Sequence, residues 1–368
     1  VIDLYYPLRS LKGGTWFKLI CGASFQHLPA VRSLTLAYAL AGADCVDVAA
    51  DPAVVSAAQD GLRAAEALAP EAQMRGYSGN GQPWLMVSLS DGEDPHFRKA
   101  SFDPSTCPTD CPRPCETICP ARAIVFEQGV LESHCYGCGR CLPICPEQKI
   151  FTQSHTAPLT TVAALLRDVD AVEIHTQMGR FSEFERLWKT AIVPVLPRLK
   201  LVALSCPDGE GLEDYLRALY KIMSGLSSLP CDLIWQTDGR PMSGDIGDGA
   251  TRSAVKLGQK VLAMNLPGYV QLAGGTNSHT VAKLEAIGLR KGQQPNPQQG
   301  ISGLAFGSYA RVLLSPVLDQ LEMQQSVNPA ASPALEDTPE LLWQAVHLAH
   351  SLISPVKAPM KLRQTVPK

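Results

Sequence analysis

DCVDVAADPAVV, residues 44–55, carries one complete strand-to-helix unit in a dozen positions. Cys45, Val46, Val48 and Ala49 make a short apolar run with Asp47 inside it, and Asp51 then offers the side-chain oxygen that an N-cap needs. Pro52 follows in the first helical turn, where its missing N–H costs nothing. Beyond it Val54, Val55, Ala58, Leu62, Ala65 and Leu68 recur at helical spacing.

Working outward, the same unit repeats. Apolar runs at 17–23, 83–91, 171–176, 200–208, 231–238, 268–275 and 303–311 complete a set of eight strands, the last running into Val312-Leu313-Leu314. Helical patterns begin at Pro29, near 181, at Leu212, at about Thr251 (after a Gly-rich loop at 243–249) and at Val281. Near-continuous apolar strands with helices between them indicate a parallel sheet covered on both faces. Eight such units in some 300 residues fit a closed (β/α)8 TIM-like barrel in the α/β class. An open doubly wound sheet is the alternative, but no G-x-G-x-x-G follows the first strand. The expected division is a barrel from 1–91 and 157–320, an insert at 92–156, and an extension at 321–368. Tyr5-Tyr6-Pro7 reads as a turn, and residues 321–335 as a linker. Thr338-Pro339-Glu340 caps a helix to about 352, and SPVKAPMKLRQTVPK is a mobile or docking tail.

Composition excludes several function classes. With 32 basic and 35 acidic residues, net -3, the chain has no global field to draw nucleic acid or an anionic membrane surface. No apolar run of about 18 residues suggests a transmembrane segment, and the start lacks the pattern of an export signal. A cytoplasmic protein is expected. Twelve cysteines in a chain without a secretory signal read first as metal ligands.

Eight of them fall in two runs. Cys107, Cys111, Cys115 and Cys119 are each separated by three residues, with Pro120 after the last. Cys135, Cys138, Cys141 and Cys145 follow the bacterial ferredoxin spacing C-x2-C-x2-C-x3-C-P, with Pro146 closing it. In such pairs the fourth cysteine of each run reaches the other cluster. Cys107, Cys111, Cys115 and Cys145 are therefore expected to hold one [4Fe-4S] cluster, and Cys135, Cys138, Cys141 and Cys119 the other. Between the runs, residues 121–135 read as strand, turn at Gln128-Gly129, strand. Gly137 and Gly139 let the backbone wrap a cluster. Zinc also takes four thiolates, but favours two separated C-x2-C pairs. Cys21, Cys45, Cys206 and Cys231 lie in or beside strands and read as core thiols. From Asp91 to Ile150 nine acidic residues face six basic ones, so the whole net charge sits here, and each oxidised cubane would add about -2. An electron partner should meet this face with a basic one. The ferredoxin-like insert, 92–156, enters between the third and fourth strands, which places it at the C-terminal rim.

The barrel mouth offers a second set of candidates. Gly274, Gly275 and Thr276 end the seventh strand, and Gly307, Ser308 and Arg311 the eighth. Glycines here suit a phosphate site for flavin mononucleotide or another phosphorylated ligand; they serve equally as plain tight turns. Asp47, Ser88, Ser90, Glu173, His175, Ser205, Gln236 and Asp238 also lie at strand ends, and Lys18 can enter the lumen. His175 shares a strand face with Glu173, as an acid–base pair or a rim contact. No H-E-x-x-H, G-x-S-x-G or P-loop occurs, which leaves enzymatic activity open.

WFKLICGASFQHLP, SFDPSTCPTDCPRPCETICPARAI, SHCYGCGRCLPICP and VEIHTQMGR together resemble the cyanobacterial light-dependent period (LdpA) family of iron-sulfur proteins, over nearly the full chain. That resemblance implies a redox sensor conveying light-dependent cellular redox state to the circadian clock, with the clock proteins KaiA and CikA as partners. A quinone or ferredoxin is the redox partner such a role expects. A weaker similarity, confined to the barrel pattern and glycine loops, links the chain to flavin-dependent dihydroorotate and dihydropyrimidine dehydrogenase barrels. It implies a flavin-linked oxidoreductase as the alternative, though no match to their catalytic loop is present.

Overall fold

A computed structural model describes residues 6–21, 28–77, 81–92, 98–119, 122–131, 135, 141–154, 159–225, 229–239, 250–292, 300–327 and 334–358. In chain order the first elements are α1 (Tyr6–Gly13), β1 (Trp16–Ile20), α2 (Leu28–Ala41), β2 (Cys45–Ala49), α3 (Pro52–Met74) and β3 (Trp84–Ser90). An excursion follows, comprising β4 (Arg98–Ser101), α4 (Pro114–Ile118), β5 (Ile124–Val125), β6 (Gly129–Val130), α5 (Cys141–Ile144) and β7 (Phe151–Ser154). The alternation then resumes with α6 (Leu159–Leu165), β8 (Ala171–His175), α7 (Phe181–Leu187), β9 (Leu201–Ser205), α8 (Leu212–Ser224) and β10 (Asp232–Asp238). The last elements are α9 (Ala250–Ala263), β11 (Tyr269–Ala273), α10 (Thr280–Ile287), β12 (Ile301–Phe306), α11 (Ser308–Val327) and α12 (Pro339–Lys357).

β1, β2, β3, β8, β9, β10, β11 and β12 pair in that order, all parallel, and β12 closes on β1. The expected eight-stranded barrel is therefore present, and its closure excludes the open sheet. Each strand splits its side chains by period two. Phe17, Leu19, Val46, Val48, Leu85, Val87, Val172, Ile174, Val202, Leu204, Leu233 and Trp235 face the helices in one apolar core. Trp16, Cys45, Trp84, Met86, Ala171, Leu201, Ala203 and Ile234 fill the lower lumen, capped by Leu11 of α1. Gly303 is required here: a Cβ on it would meet Trp16 Cδ1 at 2.5 Å.

Asp51 caps α3 as the sequence suggests, accepting from the N–H groups of Ala53 at 2.9 Å and Val54 at 3.4 Å. Other boundaries move. Tyr6-Pro7 opens α1 rather than a turn. The eighth strand stops at Phe306, and α11 starts at Ser308, so Val312-Leu313-Leu314 is helical. α11 continues to Val327, through the first half of the expected linker, because Leu314, Val317 and Leu321 bury against the core. α12 runs past 352 to Lys357, so the SPVK start of the expected tail is its last turn. Lys357 holds that turn down: its Nζ donates to Asp44 Oδ1 at 2.6 Å and to Ser10 Oγ at 3.0 Å. Arg290, buried, adds bonds to the carbonyls of Pro355 at 3.4 Å and Val356 at 2.5 Å. The loop at 243–249 and the rest of the tail, 359–368, lie outside the described residues.

Candidate functional site

The excursion leaves the C-terminal end of β3 and returns through α6 to β8, so it belongs to the rim where barrel loops converge. Its base is the antiparallel β4–β7 ladder, Arg98 opposite Ser154 and Ser101 opposite Phe151. Lys99 Nζ on β4 reaches Asp51 Oδ2 at 3.3 Å, with both side chains largely buried. At the departure point, Asp91 accepts from the Thr176 hydroxyl and from Arg180 Nη1, the latter at 3.3 Å. These contacts fix the excursion to the barrel.

Within it, each cysteine run ends in the same way. The third and fourth cysteines are joined by a short helix: α4 between Cys115 and Cys119, α5 between Cys141 and Cys145, and the two helices pack together. Each run then turns at the third residue beyond its last cysteine. Arg122 N–H donates to the Cys119 carbonyl and Gln148 N–H to the Cys145 carbonyl, both at 3.1 Å, with φ of 49° and 51°. Positive φ in non-glycine residues is uncommon, so a repeated pair marks a repeated local design. Ala123 N–H points at Cys119 Sγ at 3.2 Å, the kind of donor that cluster sulfurs use. The two-residue strands β5 and β6 pair antiparallel as expected, although the turn occupies 126–128 and Gly129, at φ 82°, already pairs with Val125.

Cys115, Cys135 and Cys141 are buried with Ala100, Phe102, Ala123, Ile124 and Ile150, and Cys107, Cys119 and Cys145 pack against that cluster. Burial raises the Cys107 thiol, and neighbouring Cys111 and Cys145 raise it further. Burial likewise raises Cys115, with Cys145 and Cys111 adding to it. Cys145, from the second run, thus stands among the first-run thiols. A tetrahedral zinc with Zn–S near 2.3 Å draws its thiolates to about 3.8 Å from one another. Among the described residues no three cysteine sulfurs approach within 4.8 Å of one another. Each thiolate of a cubane binds a different iron, so cluster ligation does not ask for three sulfurs that close. The donor set fits iron-sulfur ligation. Cys138, Pro120, Gly137, Gly139 and His134 lie outside the described residues.

Beneath the rim, the lumen is polar. Lys18 is fully buried, and its Nζ donates to Asp47 Oδ2 at 3.0 Å and to Glu173 Oε2. Burial alone would lower the Lys18 pKa, but Asp47 and Glu173 outweigh it and raise it, so the ammonium stays charged. Burial works against the Glu173 carboxylate too, yet Lys18 and His175 hold it down to about 2. Asp47 goes the other way: burial lifts it to about 6 despite Lys18, with Glu173 adding repulsion. Asp238 is also raised, by burial first and then by Glu173. Ser88 Oγ donates to Asp47 Oδ1 at 2.7 Å, and the Ser205 hydroxyl to Asp238. The expected pair on β8 is real: His175 Nε2 stands 3.1 Å from Glu173 Oε1.

Gln271 escaped the sequence reading. Trp16 Nε1 donates to it at 2.7 Å, Gln271 Nε2 to Gln236 Oε1 at 2.6 Å, and Gln236 Nε2 to Glu173 Oε1 at 2.5 Å. The available signal was an amide at an inward position of an otherwise apolar strand. Nothing in the sequence pointed to Lys357 on Asp44, which are 313 positions apart.

The glycine loops sit on neighbouring strands. Gly274 and Gly275, at φ 62° and 124°, leave β11, and Gly307-Ser308 opens α11 directly after β12. Thr276 is buried and its hydroxyl donates to the Ala305 carbonyl at 2.5 Å, bridging the two strand ends. Arg311 Nη2 reaches Ser308 Oγ at 3.3 Å, and burial lowers its pKa.

Comparison with known proteins draws these parts together. Residues 107–156 match the LdpA Fe-S cluster-binding domain, and residues 164–355 match the Light dependent period A C-terminal domain. Light dependent period A of Synechococcus elongatus is 49% identical over 354 residues, covering 96% of this chain and 94% of that protein. With both parts matched in order and nearly every residue of each chain aligned, this chain belongs to the Light dependent period A family.

Proposed function

We propose that the chain is a redox-sensing iron-sulfur protein of circadian clock input, and that its excursion holds two [4Fe-4S] clusters in crossed fashion. Cys107, Cys111, Cys115 and Cys145 would bind one, and Cys135, Cys138, Cys141 and Cys119 the other. The observation that carries this is the repeated ending of the two runs, with Cys145 placed among the first-run thiols. Bound there, the clusters would supply one-electron redox chemistry at the rim. The chain's own contribution is to seat the thiols in an apolar pocket, aim N–H donors at the sulfurs, and tie the pocket to the barrel through Lys99–Asp51. A unit change of charge beside a partly buried face can bias an interface by roughly a kcal/mol or more. Clock proteins, KaiA and CikA in the first place, are the partners this reading assigns, with a quinone or ferredoxin setting the redox state. The site of action would be the cytoplasm, peripheral to the thylakoid membrane; among the described residues no helix is long and apolar enough to cross a membrane.

Anaerobic iron and sulfide analysis tests the ligation: about eight of each per chain are expected. Zinc at about two per chain without labile sulfide would sink it. Cys145→Ser should perturb the cluster assembled mainly from the first run, read by electron paramagnetic resonance of the reduced protein. Sensing is tested by binding isotherms with each clock protein at two poised potentials. Affinities should differ at least about threefold, and the difference should vanish in Cys135→Ser. Equal affinities in both states would refute sensing. A second reading, flavin-linked oxidoreduction at Gly274, Gly275, Thr276, Gly307, Ser308 and Arg311, draws on the positive-φ glycines beside the α11 N-terminus. A tightly bound yellow chromophore after anaerobic purification would support it.

A further inference from the structure

The barrel mouth holds a second constellation, built from none of the clustered cysteines. Glu173 and His175 rise from β8 and Asp238 from the end of β10, and one ligand atom from each lies within 4.8 Å of the other two. We propose that Glu173, His175 and Asp238 form a mononuclear site for a divalent first-row transition-metal ion, facing the C-terminal opening of the barrel.

Geometry favours it first. Ligand bonds near 2.1 Å set neighbouring ligand atoms about 3 Å apart around a metal, and His175 Nε2 stands 3.1 Å from Glu173 Oε1. His175 Nε2 can donate a proton to Glu173 Oε1 at that distance, and a metal ion can take that proton's place between them. A proton bridges only two atoms. Asp238 converges on the same point from another strand, where Gln236 Nε2 already donates to both carboxylates, at 2.5 Å to Glu173 Oε1 and 3.3 Å to Asp238 Oδ2; a metal ion would join all three ligand atoms.

The surrounding shell is of the kind that orients metal ligands. Lys18 donates to Glu173 Oε2, which turns Oε1 toward the imidazole. The Trp16–Gln271–Gln236 chain ends on Glu173, and the Ser205 hydroxyl fixes Asp238. Access is also present: the His175 side chain is 22% exposed, whereas that of Glu173 is 1% exposed, so the ligand set opens toward solvent on one side. Open positions on that side are where water or a small molecule would complete the coordination.

Charge gives an independent reason. Asp47, Glu173 and Asp238 bring three carboxylates into the upper lumen, and Lys18 is the cation seated on two of them. With His175 neutral, as metal ligation requires, the group totals about -2, which one divalent ion cancels. One imidazole with two carboxylates suits manganese, iron(II) or zinc better than calcium or magnesium, which take oxygen ligands alone.

Mn2+ is the probe that separates this site from stray cysteines, since thiolates prefer softer ions. Full-length protein, anaerobic and with its clusters oxidised, would be titrated with Mn2+ while free Mn2+ is followed by electron paramagnetic resonance. One Mn2+ per chain should bind, displaced by Zn2+. His175→Gln and Asp238→Asn should each weaken binding at least tenfold, with iron and sulfide content unchanged. Ser205→Ala, which leaves all three ligands in place, should weaken it by about tenfold and covers the case in which a ligand variant fails to fold. No Mn2+ binding by the parent chain, or equal binding by parent and variants, overturns the proposal.

Discussion

Lys18→Met removes the one cation seated between Asp47 and Glu173 while keeping much of the side-chain volume. All three groups are buried, so the variant leaves two carboxylates in the lumen without their counter-ion. Breaking a buried pair in this way costs about 3–5 kcal/mol. At about 2.1 cal/mol/K per residue, the unfolding entropy of 368 residues converts each kcal/mol to about 1.3 °C, so the thermal midpoint should fall by about 4–6.5 °C at pH 7.5. The deficit should depend on pH with a definite sign. In the parent, Glu173 is held at about 2, below its ordinary value, so its contribution is present above pH 4.5 and is lost as pH falls. Without Lys18, the Glu173 carboxyl rises above its unfolded value and Asp47, already raised to about 6 in the parent, goes higher, so the folded form binds more protons and stability recovers as pH falls toward 5. Glu173→Gln added to Lys18→Met should return part of the loss, because a neutral amide replaces one stranded charge. Far-ultraviolet circular dichroism melts on anaerobic protein, with iron content checked before and after, read all four corners of the cycle. A Lys18→Met midpoint within 1 °C of the parent at pH 7.5, or a deficit that grows on acidification, would refute this account of the lumen.

Asp51→Ala should cost about 1–2 kcal/mol, because α3 loses its cap and Lys99 the carboxylate of Asp51; limited proteolysis should then cut faster within 92–156 than elsewhere. Lys357→Ala strands Asp44, whose carboxyl burial already raises despite that lysine, so about 3 kcal/mol should be lost at neutral pH and less near pH 5, measured by thermal melts. Gly303→Ala forces a methyl against Trp16 and should destabilise by about 1–3 kcal/mol, with a shift in tryptophan fluorescence from the Trp16–Trp84 pair.

The barrel was legible because its strands are short apolar runs whose boundaries carry their own chemistry. Asp51-Pro52 marks the clearest of these, and the structure places the cap where the sequence put it. The C-terminal region was less legible. Residues 321–327 look polar and linker-like, but the preceding turns of α11 bury Leu314, Val317 and Leu321, and tertiary packing extends the helix. Ser354–Lys357 read as tail for the same reason: what holds them is Asp44, beyond the reach of any local pattern. Lumen chemistry was half visible. Polar residues at strand ends named Lys18, Asp47, Glu173, His175, Gln236 and Asp238, whereas only register shows which of them meet, and Gln271 joins them solely through the pairing of β10 with β11.

The β4–β7 ladder also bears on the order in which the chain assembles. β3 and β8 are neighbours in the barrel, yet about 80 residues separate Ser90 from Ala171, against about 30 for most other adjacent strands. Zipping Arg98 to Ser154 first leaves a loop of only about 25 residues to close. By the logarithmic dependence of loop entropy on length, that lowers the closure cost by about 1 kcal/mol. An excursion that folds early therefore speeds the longest seam between consecutive barrel strands, and one whose ladder is weakened delays it. Cluster delivery and barrel closure become kinetically linked, with the nascent chain exposing unpaired β3 and β8 edges for as long as the cysteine-bearing segment remains unfolded.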